Sequence, residues 1–533
     1  MTTEVRAAGS PARRAERTGR FAALVAAGIL LSRLFGLVRQ RFLSHYLGLG
    51  AAADAFNAAF KIPNSLQNLF GEGVLSASFI PVYARLLAQG DEEEATRVAN
   101  AIGTLLALTM AVLVLLGILA APILVDVIAV GFEGATRELT VRLVRILFPG
   151  VGVLVLCAWC LGVLNSHRRF FLSYTAPVVW NLAIIGSLAW FGGRVGQFDL
   201  AVVAAWGAVV GSVLQLMVQF PVVLRLLPRF RPVLDVTSAY VRTVVRNFGP
   251  VFVGRGVVQV SGYVDTLLAS LLPAGAVAGL TTAQTLYMLP VSLFGMSISA
   301  AELPTMSSER GEADEVAANL RTRLDSGLRR IAFLVVPSAM VFLALGDVLA
   351  GALFQTGEFT RRDSVYVWAI LAGSAVGLLA NTLGRLYSST YYALHDTRTP
   401  LRFAIVRVVL TMGLGYLFAI PLPPLLGVAP RWGVAGLTVS AGLAGWVEFS
   451  LLRRGLNRKI GRTGLSTGFV GRLWVAAAIS AAVAWGVKLA LGTGHPILLA
   501  IAAFAPYGVA YFAITGAMGL PESRTIIRSI LRR

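Results

Sequence analysis

FAALVAAGILLSRLFGLVRQRFLSHYLGL, residues 21–49, is the stretch that decides the fold. It is apolar and longer than the roughly 20 residues that cross a bilayer. It nevertheless carries Arg33 and Arg39. An arginine at the bilayer centre costs roughly 2.5–3.5 kcal/mol on insertion scales, so it persists where it faces a wet cavity or an anionic partner. The two arginines lie about 9 Å apart along a helix axis and about 120° apart around it, at 1.5 Å and roughly 100° per residue. Both can line one broad cavity. The segment reads as a membrane helix that handles an anion.

The rest of the chain extends that reading. Of 533 residues, 56% are hydrophobic and 14% charged, with a mean hydropathy of +0.75; soluble domains carry about 25% charged residues. Apolar runs recur over the whole length. They place spans at roughly 21–45, 54–83, 99–125, 139–164, 172–193, 200–224, 244–271, 277–306, 331–354, 365–393, 402–421, 432–452, 469–490 and 496–518. The fold class is an all-α integral membrane protein of about 14 helices. With the N-terminus in the cytoplasm, about 31 Lys and Arg fall between spans on that side and about 6 on the other. This asymmetry is the positive-inside pattern. An even span count returns the C-terminus to the cytoplasm.

The net charge of +20 is accounted for by these short basic segments facing anionic headgroups, so no nucleic-acid partner is implied. Residues 1–20 read as a basic cytoplasmic tail, and the segment after it as a retained span without a clear cleavage site. Cys157 and Cys160 form CAWC at membrane depth, with no histidine or second pair nearby, and read as small buried residues. No P-loop, HExxH or GxSxG is present, so the chain does not read as an enzyme, and no cofactor is called for. No coupling-ion site is legible.

An internal repeat is visible. LFGEGVLSASFIPVY (69–83) and LFGMSISAAELPTMS (293–307) share FG, small residues and a later proline, Pro81 or Pro304. Earlier prolines, Pro63 and Pro290, stand in both spans. Six spans separate the copies, so both insert with the same orientation. Such parallel repeats place a substrate site between the halves. The expected division is a tail (1–20), an N-lobe (21–230, helices 1–6), a C-lobe (231–455, helices 7–12) and a C-terminal part (456–533, helices 13–14).

SRLFGLVRQ (32–40), ADAFNAAFKIPN (53–64), FGEGVLSASFIPVYARLL (70–87), LNSHRRF (164–170), APVVWN (176–181), LFQTGEFT (353–360) and YYALHDTRTP (391–400) together resemble the MurJ (MviN) lipid II flippases. These belong to the multidrug/oligosaccharidyl-lipid/polysaccharide exporter superfamily. The resemblance runs in order over nearly the whole chain. It implies two six-helix lobes around a central cationic cavity, with two further helices forming a groove for a lipid tail. It also implies a bacterial inner-membrane transporter in peptidoglycan synthesis. Its substrate would be lipid II, the undecaprenyl-pyrophosphate-linked precursor, moved by alternating access from inner to outer leaflet. Membrane lipids and cell-wall synthesis proteins are the implied partners. An exporter of another lipid-linked glycan or amphipathic small molecule is the alternative, and a non-transporting scaffold a third reading.

Carried over by position, Arg33 and Arg39 match the family's arginines in the first helix, and Asp54 and Glu72 its acidic positions in the second. The enterobacterial member carries two more arginines, where this chain has Gln67 and either Gln284 or Thr285. Arg255, flanked by Gly254 and Gly256, is a replacement candidate in the seventh span; a structural pair with an acid is its other reading. Lys61 either lines the cavity or snorkels. The expected substrate-binding set is Arg33, Arg39, Asp54, Lys61, Glu72 and Arg255. Arg142 and Arg145 read as snorkelling, Arg385 and Arg407 as structural or lipid-facing, and Asp347 and Glu448 have no assignment.

Overall fold

The computed structural model describes residues 11–524 apart from 228, 236, 309–311 and 493. Their side chains are described apart from those of 11–27, 29, 253–255, 257, 258, 260, 261 and 313. Among the described residues every regular element is helical. The chain forms two compact units. The first takes residues up to Leu43, with Ala59–Val125 and Arg137–Gly256; the second takes Ser44–Ala58, Asp126–Thr136 and Val257 onward.

The elements that build mainly the first unit are α1 (Pro11–Leu47), α2 (Ala51–Phe70), α3 (Glu72–Ser78), α4 (Ile80–Gln89), α5 (Glu92–Leu119), α6 (Ala121–Ile128), α7 (Gly134–Ser166), α8 (Phe170–Phe191) and α9 (Gln197–Leu226). The division falls inside α10 (Ala239–Ser270). The first unit's core gathers Leu75, Phe79, Tyr83, Ile102, Met110, Val155 and Trp159. Trp159 donates its indole N–H to the Ala99 carbonyl at 3.1 Å, so its one polar atom is satisfied inside apolar surroundings.

Two sequence expectations change here. α1 is helical from Pro11, the first described residue, so the basic stretch PARRAERTGR is part of that helix. Ala, Arg and Glu are strong helix formers. Residues 1–10 lie outside the described residues. The second span is three helices, not one. It breaks at Gly71, whereas at Phe79 the backbone stays helical and its N–H donates to the Leu75 carbonyl at 2.9 Å. Gly71 is extended (φ −87°, ψ −153°), and a Cβ there would collide with the Gln67 carbonyl, so the break requires glycine.

The second unit holds α11 (Ala276–Pro290), a π-helical turn (Val291–Met296), α12 (Ser297–Ser307), α13 (Ala313–Ala344), α14 (Gly346–Phe354), α15 (Arg361–Ala393), α16 (Arg398–Ala419), the short α17 (Leu422–Leu425), α18 (Gly433–Ile460), α19 (Thr467–Leu491) and α20 (Pro496–Ala517). The repeated FG marks a departure from α-helical geometry in both copies. Phe70-Gly71 ends α2, and Phe294-Gly295 lies in the π turn that follows Pro290.

α19 and α20 pack on α13 and α14 through Leu345, Val348, Ala481, Ala484, Ala503 and Tyr507. Pro337 inside α13 has no N–H for the Phe333 carbonyl four residues earlier. The Tyr511 hydroxyl of α20 supplies the missing donor at 2.7 Å, and Tyr507 donates to the Pro337 carbonyl at 2.8 Å. In a medium without water such replacement is what makes a proline tolerable.

Among the described residues, eleven helices are long and apolar enough to cross a membrane, from Glu92–Leu119 to Pro496–Ala517. The expected first, second and seventh spans correspond to α1, to the broken α2–α4 and to α10. The buried Cys157 and Cys160 are unpaired within α7.

Candidate functional site

Arg39 is held between two aromatic rings in the first unit. Its guanidinium carbon lies 4.8 Å from the centroid of the Trp180 ring and 5.8 Å from that of Phe60. Both distances are within the roughly 6 Å over which an aromatic face attracts a cation. The two rings are themselves in contact, with centroids 5.7 Å apart. Trp180 is anchored from α8 by its indole N–H, which donates to the Ala208 carbonyl of α9 at 3.0 Å. The Arg39 Nε is buried and has no hydrogen-bond partner among the described residues. Stacking satisfies the face of a guanidinium and leaves its edge of N–H donors to bind oxygen.

α1 approaches α8 closely at Gly28, where a Cβ would lie 2.8 Å from the Tyr174 Cβ. Further along, a Cβ on Gly36 would meet nothing within 4 Å, so the backbone between Arg33 and Arg39 borders open space. Arg33 is exposed. Lys61 is half-buried and Glu72 exposed, and both engage neighbouring groups. Gln67, at the position of a family arginine, is half-buried. The side chain of Arg255 lies outside the described residues.

Asp54 belongs to the second unit and is 2% exposed. One carboxylate oxygen accepts from the Gly275 N–H at 2.6 Å and the other from the Ala278 N–H at 2.7 Å. It therefore caps α11 from a distant part of the chain, where orphan N–H groups and the helix dipole favour an anion. Gly275 has φ of 95°, and a Cβ there would stand 2.6 Å from the Leu49 carbonyl oxygen. Beside it, the Glu358 N–H donates to the His45 carbonyl at 2.8 Å. ADAFN thus meets the start of α11 through Asp54, and LFQTGEFT meets the end of α1 through Glu358 and His45.

A second polar cluster lies inside this unit. Asp265, Gln284, Tyr287, Ser374, Asn381 and Arg407 line a cavity of about 120 Å³. Asn381 donates to the Tyr287 hydroxyl at 2.9 Å, and Arg407 pairs with Glu448 at 3.2 Å. Arg407 is structural in this respect, and Glu448 gains an assignment. Thr285 bonds back to the Thr281 carbonyl at 3.0 Å, so Gln284 is the one of the pair that reaches the cavity. Asp347 is likewise paired, with Lys488 at 2.6 Å. The sequence signals for these pairs were opposite charges at membrane depth in separate spans. For Trp180 the signal was the APVVWN motif, read for its resemblance and not for its indole.

The family model for the lipid II flippase MurJ matches residues 43–505. The chain belongs to the MurJ family. The lipid II flippase MurJ of Burkholderia cenocepacia is 31% identical over 436 residues, covering 81% of this chain and 82% of that one. A Rhizobium meliloti protein named for the same family is 31% identical over 96% of both chains. Among solved structures, a MurJ in an inward closed conformation matches with a TM-score of 0.78 and 21% identity, over 95% of this chain and 100% of the other. An inward-facing multidrug transporter of the MATE family matches with a TM-score of 0.65 and 18% identity, over 82% and 98%. These two likenesses establish the fold. MurJ membership makes the chain a membrane-spanning member of a transporter family.

Proposed function

We propose that this protein is a lipid II flippase, carrying the undecaprenyl-pyrophosphate-linked peptidoglycan precursor from the inner to the outer leaflet of the bacterial cytoplasmic membrane. The observation that carries this is Arg39, a guanidinium stacked on Trp180 with its Nε buried and unpaired. Lipid II presents the matching chemistry. Its pyrophosphate is an anion that cannot cross hydrocarbon unaided. The guanidinium edge offers it forked, charge-assisted donors. Arg33, six residues away along the same helix, supplies a second cation, and the exposed Glu72 orients the sugar–peptide head. The polyprenyl tail stays in lipid along the C-terminal helices while the head moves.

Both termini face the cytoplasm in this reading. A potential negative inside then favours outward movement of the anion by about 2.3 kcal/mol per charge and 100 mV. The alternative is an exporter of a different lipid-linked glycan or amphipathic small molecule, favoured by Gln67 and by Gln284 or Thr285 where the resemblance to the enterobacterial member implies arginine.

Depletion and rescue decides between them. In a bacterium stripped of its own lipid II flippase, this chain restores growth and surface exposure of lipid II. Failure of a correctly inserted protein to do so overturns the assignment.

A further inference from the structure

The first unit carries a second basic site that the transport reading does not use. Arg142 and Arg145 of α7 line a cavity of about 650 Å³ with Pro122, Glu138, Pro149 and Trp206. Glu138, Arg142, Arg145 and Pro149 follow one another at spacings of three and four, which puts them on one helix face. Arg142 and Arg145 are exposed and have no ion-pair or hydrogen-bond partner among the described residues; Arg137, also at this cavity, engages another group. Trp206, on the neighbouring α9, is 54% exposed.

Depth gives these residues a meaning. α7 has 33 residues, or about 50 Å at 1.5 Å per residue, against a hydrocarbon core of about 30 Å. About 10 Å at each end therefore stands in the headgroup zone. Arg142 and Arg145 lie about 12 and 16 Å from the Gly134 end, and Trp206 about 14 Å from the start of α9. All three sit just inside the boundary between headgroups and chains, where arginines snorkel and tryptophans anchor. The Gly134 end is the outer one in the orientation proposed above. Basic residues are scarce on that side, so their concentration at one cavity runs against the positive-inside pattern.

We propose that this cavity is a binding site for a resident anionic glycerophospholipid. Arg142 and Arg145 clamp the phosphodiester, and Trp206 and Pro149 lie along the first part of the acyl chains. Glu138 faces the same cavity. Its carboxylate disfavours a second phosphate and accepts from a headgroup hydroxyl. The site therefore selects a singly charged phosphodiester over a pyrophosphate. The substrate's own headgroup belongs elsewhere.

The test uses the full-length protein in nanodiscs and counts retained lipids by native mass spectrometry. Phosphatidylglycerol is compared with phosphatidylcholine for the wild type, Arg142→Gln/Arg145→Gln and Arg142→Lys/Arg145→Lys. The wild type retains one more phosphatidylglycerol than the Gln variant, with at least fivefold preference over phosphatidylcholine, and the Lys variant keeps most of it. Equal retention by the wild type and the Gln variant overturns the proposal. So does loss in both variants, because a charge clamp survives Lys. Displacement of the bound lipid by millimolar inorganic phosphate would mark a small-anion site. Displacement by an equimolar polyprenyl pyrophosphate would mark a substrate site. Either result overturns the lipid assignment. Transport is not read, so the outcome is independent of the flippase proposal.

Discussion

Asp54 and Gly275 are 221 positions apart in sequence, and a carboxylate oxygen of one lies 2.6 Å from the amide nitrogen of the other. With Ala278 on the second oxygen, the whole carboxylate is committed to the start of α11. Asp54→Asn keeps the shape but leaves one acceptor where two N–H groups converge. The expected result is loosening of the segment around residues 45–58. A cysteine introduced at Ala53, which is 3% exposed, reports it. Its maleimide labelling is slow while Asp54 is intact and at least several-fold faster once Asp54→Asn is added. Cys157 and Cys160 stay buried in both. Unchanged labelling would mean that the cap does not hold this segment.

Arg39 is expected to be indispensable by its charge and by its fork. A hydrogen bond to a charged group contributes about 1.5–3 kcal/mol, so Arg39→Ala lowers lipid II affinity roughly tenfold or more. Arg39→Lys keeps the charge and loses the stacked plane, and falls between. Trp180→Leu, which removes the ring but no charge, weakens binding in the same direction as Arg39→Lys. Titration of purified protein with lipid II checks all three.

Tyr511→Phe removes one oxygen and leaves the Phe333 carbonyl without its donor. Stranding a buried polar group costs about 1–3 kcal/mol. The variant unfolds at lower temperature in detergent, and Phe333→Leu, which keeps the carbonyl paired, has a smaller effect. Equal stability of Tyr511→Phe and wild type would remove the hydroxyl from the account.

The linker after α9 carries a pH dependence. The Asp235 carboxyl is held at about 2 by hydrogen bonds from the Thr237 hydroxyl and amide and by Arg97 at 2.5 Å. An unperturbed aspartate titrates near 3.9. A lowered value stabilises the fold fully above that pH, and the contribution is lost as pH falls toward 2. A spin label at Val233 is immobile from pH 8 to 4 and gains mobility as pH falls toward 2. In Asp235→Asn it is mobile throughout.

Much of this was legible from sequence because lipid imposes a strong filter. The spans from Glu92 to Ala517 follow hydropathy closely, and the FG that was read as a repeat falls at the Gly71 break and in the π turn of Val291–Met296. The Arg39 site was half legible. The charge was conspicuous, but its cradle depends on Trp180 and Phe60 reaching the same point from two helices. The Asp54 contact was hidden because its partners are backbone N–H groups, which every residue but proline has. The Arg407–Glu448 pair joins α16 to α18, and no periodicity within either helix encodes it. The helical stretch before Phe21 was missed because hydropathy measures burial in lipid, not helix propensity in water.

The tyrosine ladder of α20 has a consequence for biogenesis. The Phe333 carbonyl emerges from the ribosome roughly 180 residues before the hydroxyl that completes it. During that interval α13 carries a flaw that no nearer part of its own helix repairs. α20 is the later element that closes this defect. A chain released before it is finished retains a polar defect within the bilayer, the kind of mark by which membrane quality control can tell an incomplete molecule from a finished one.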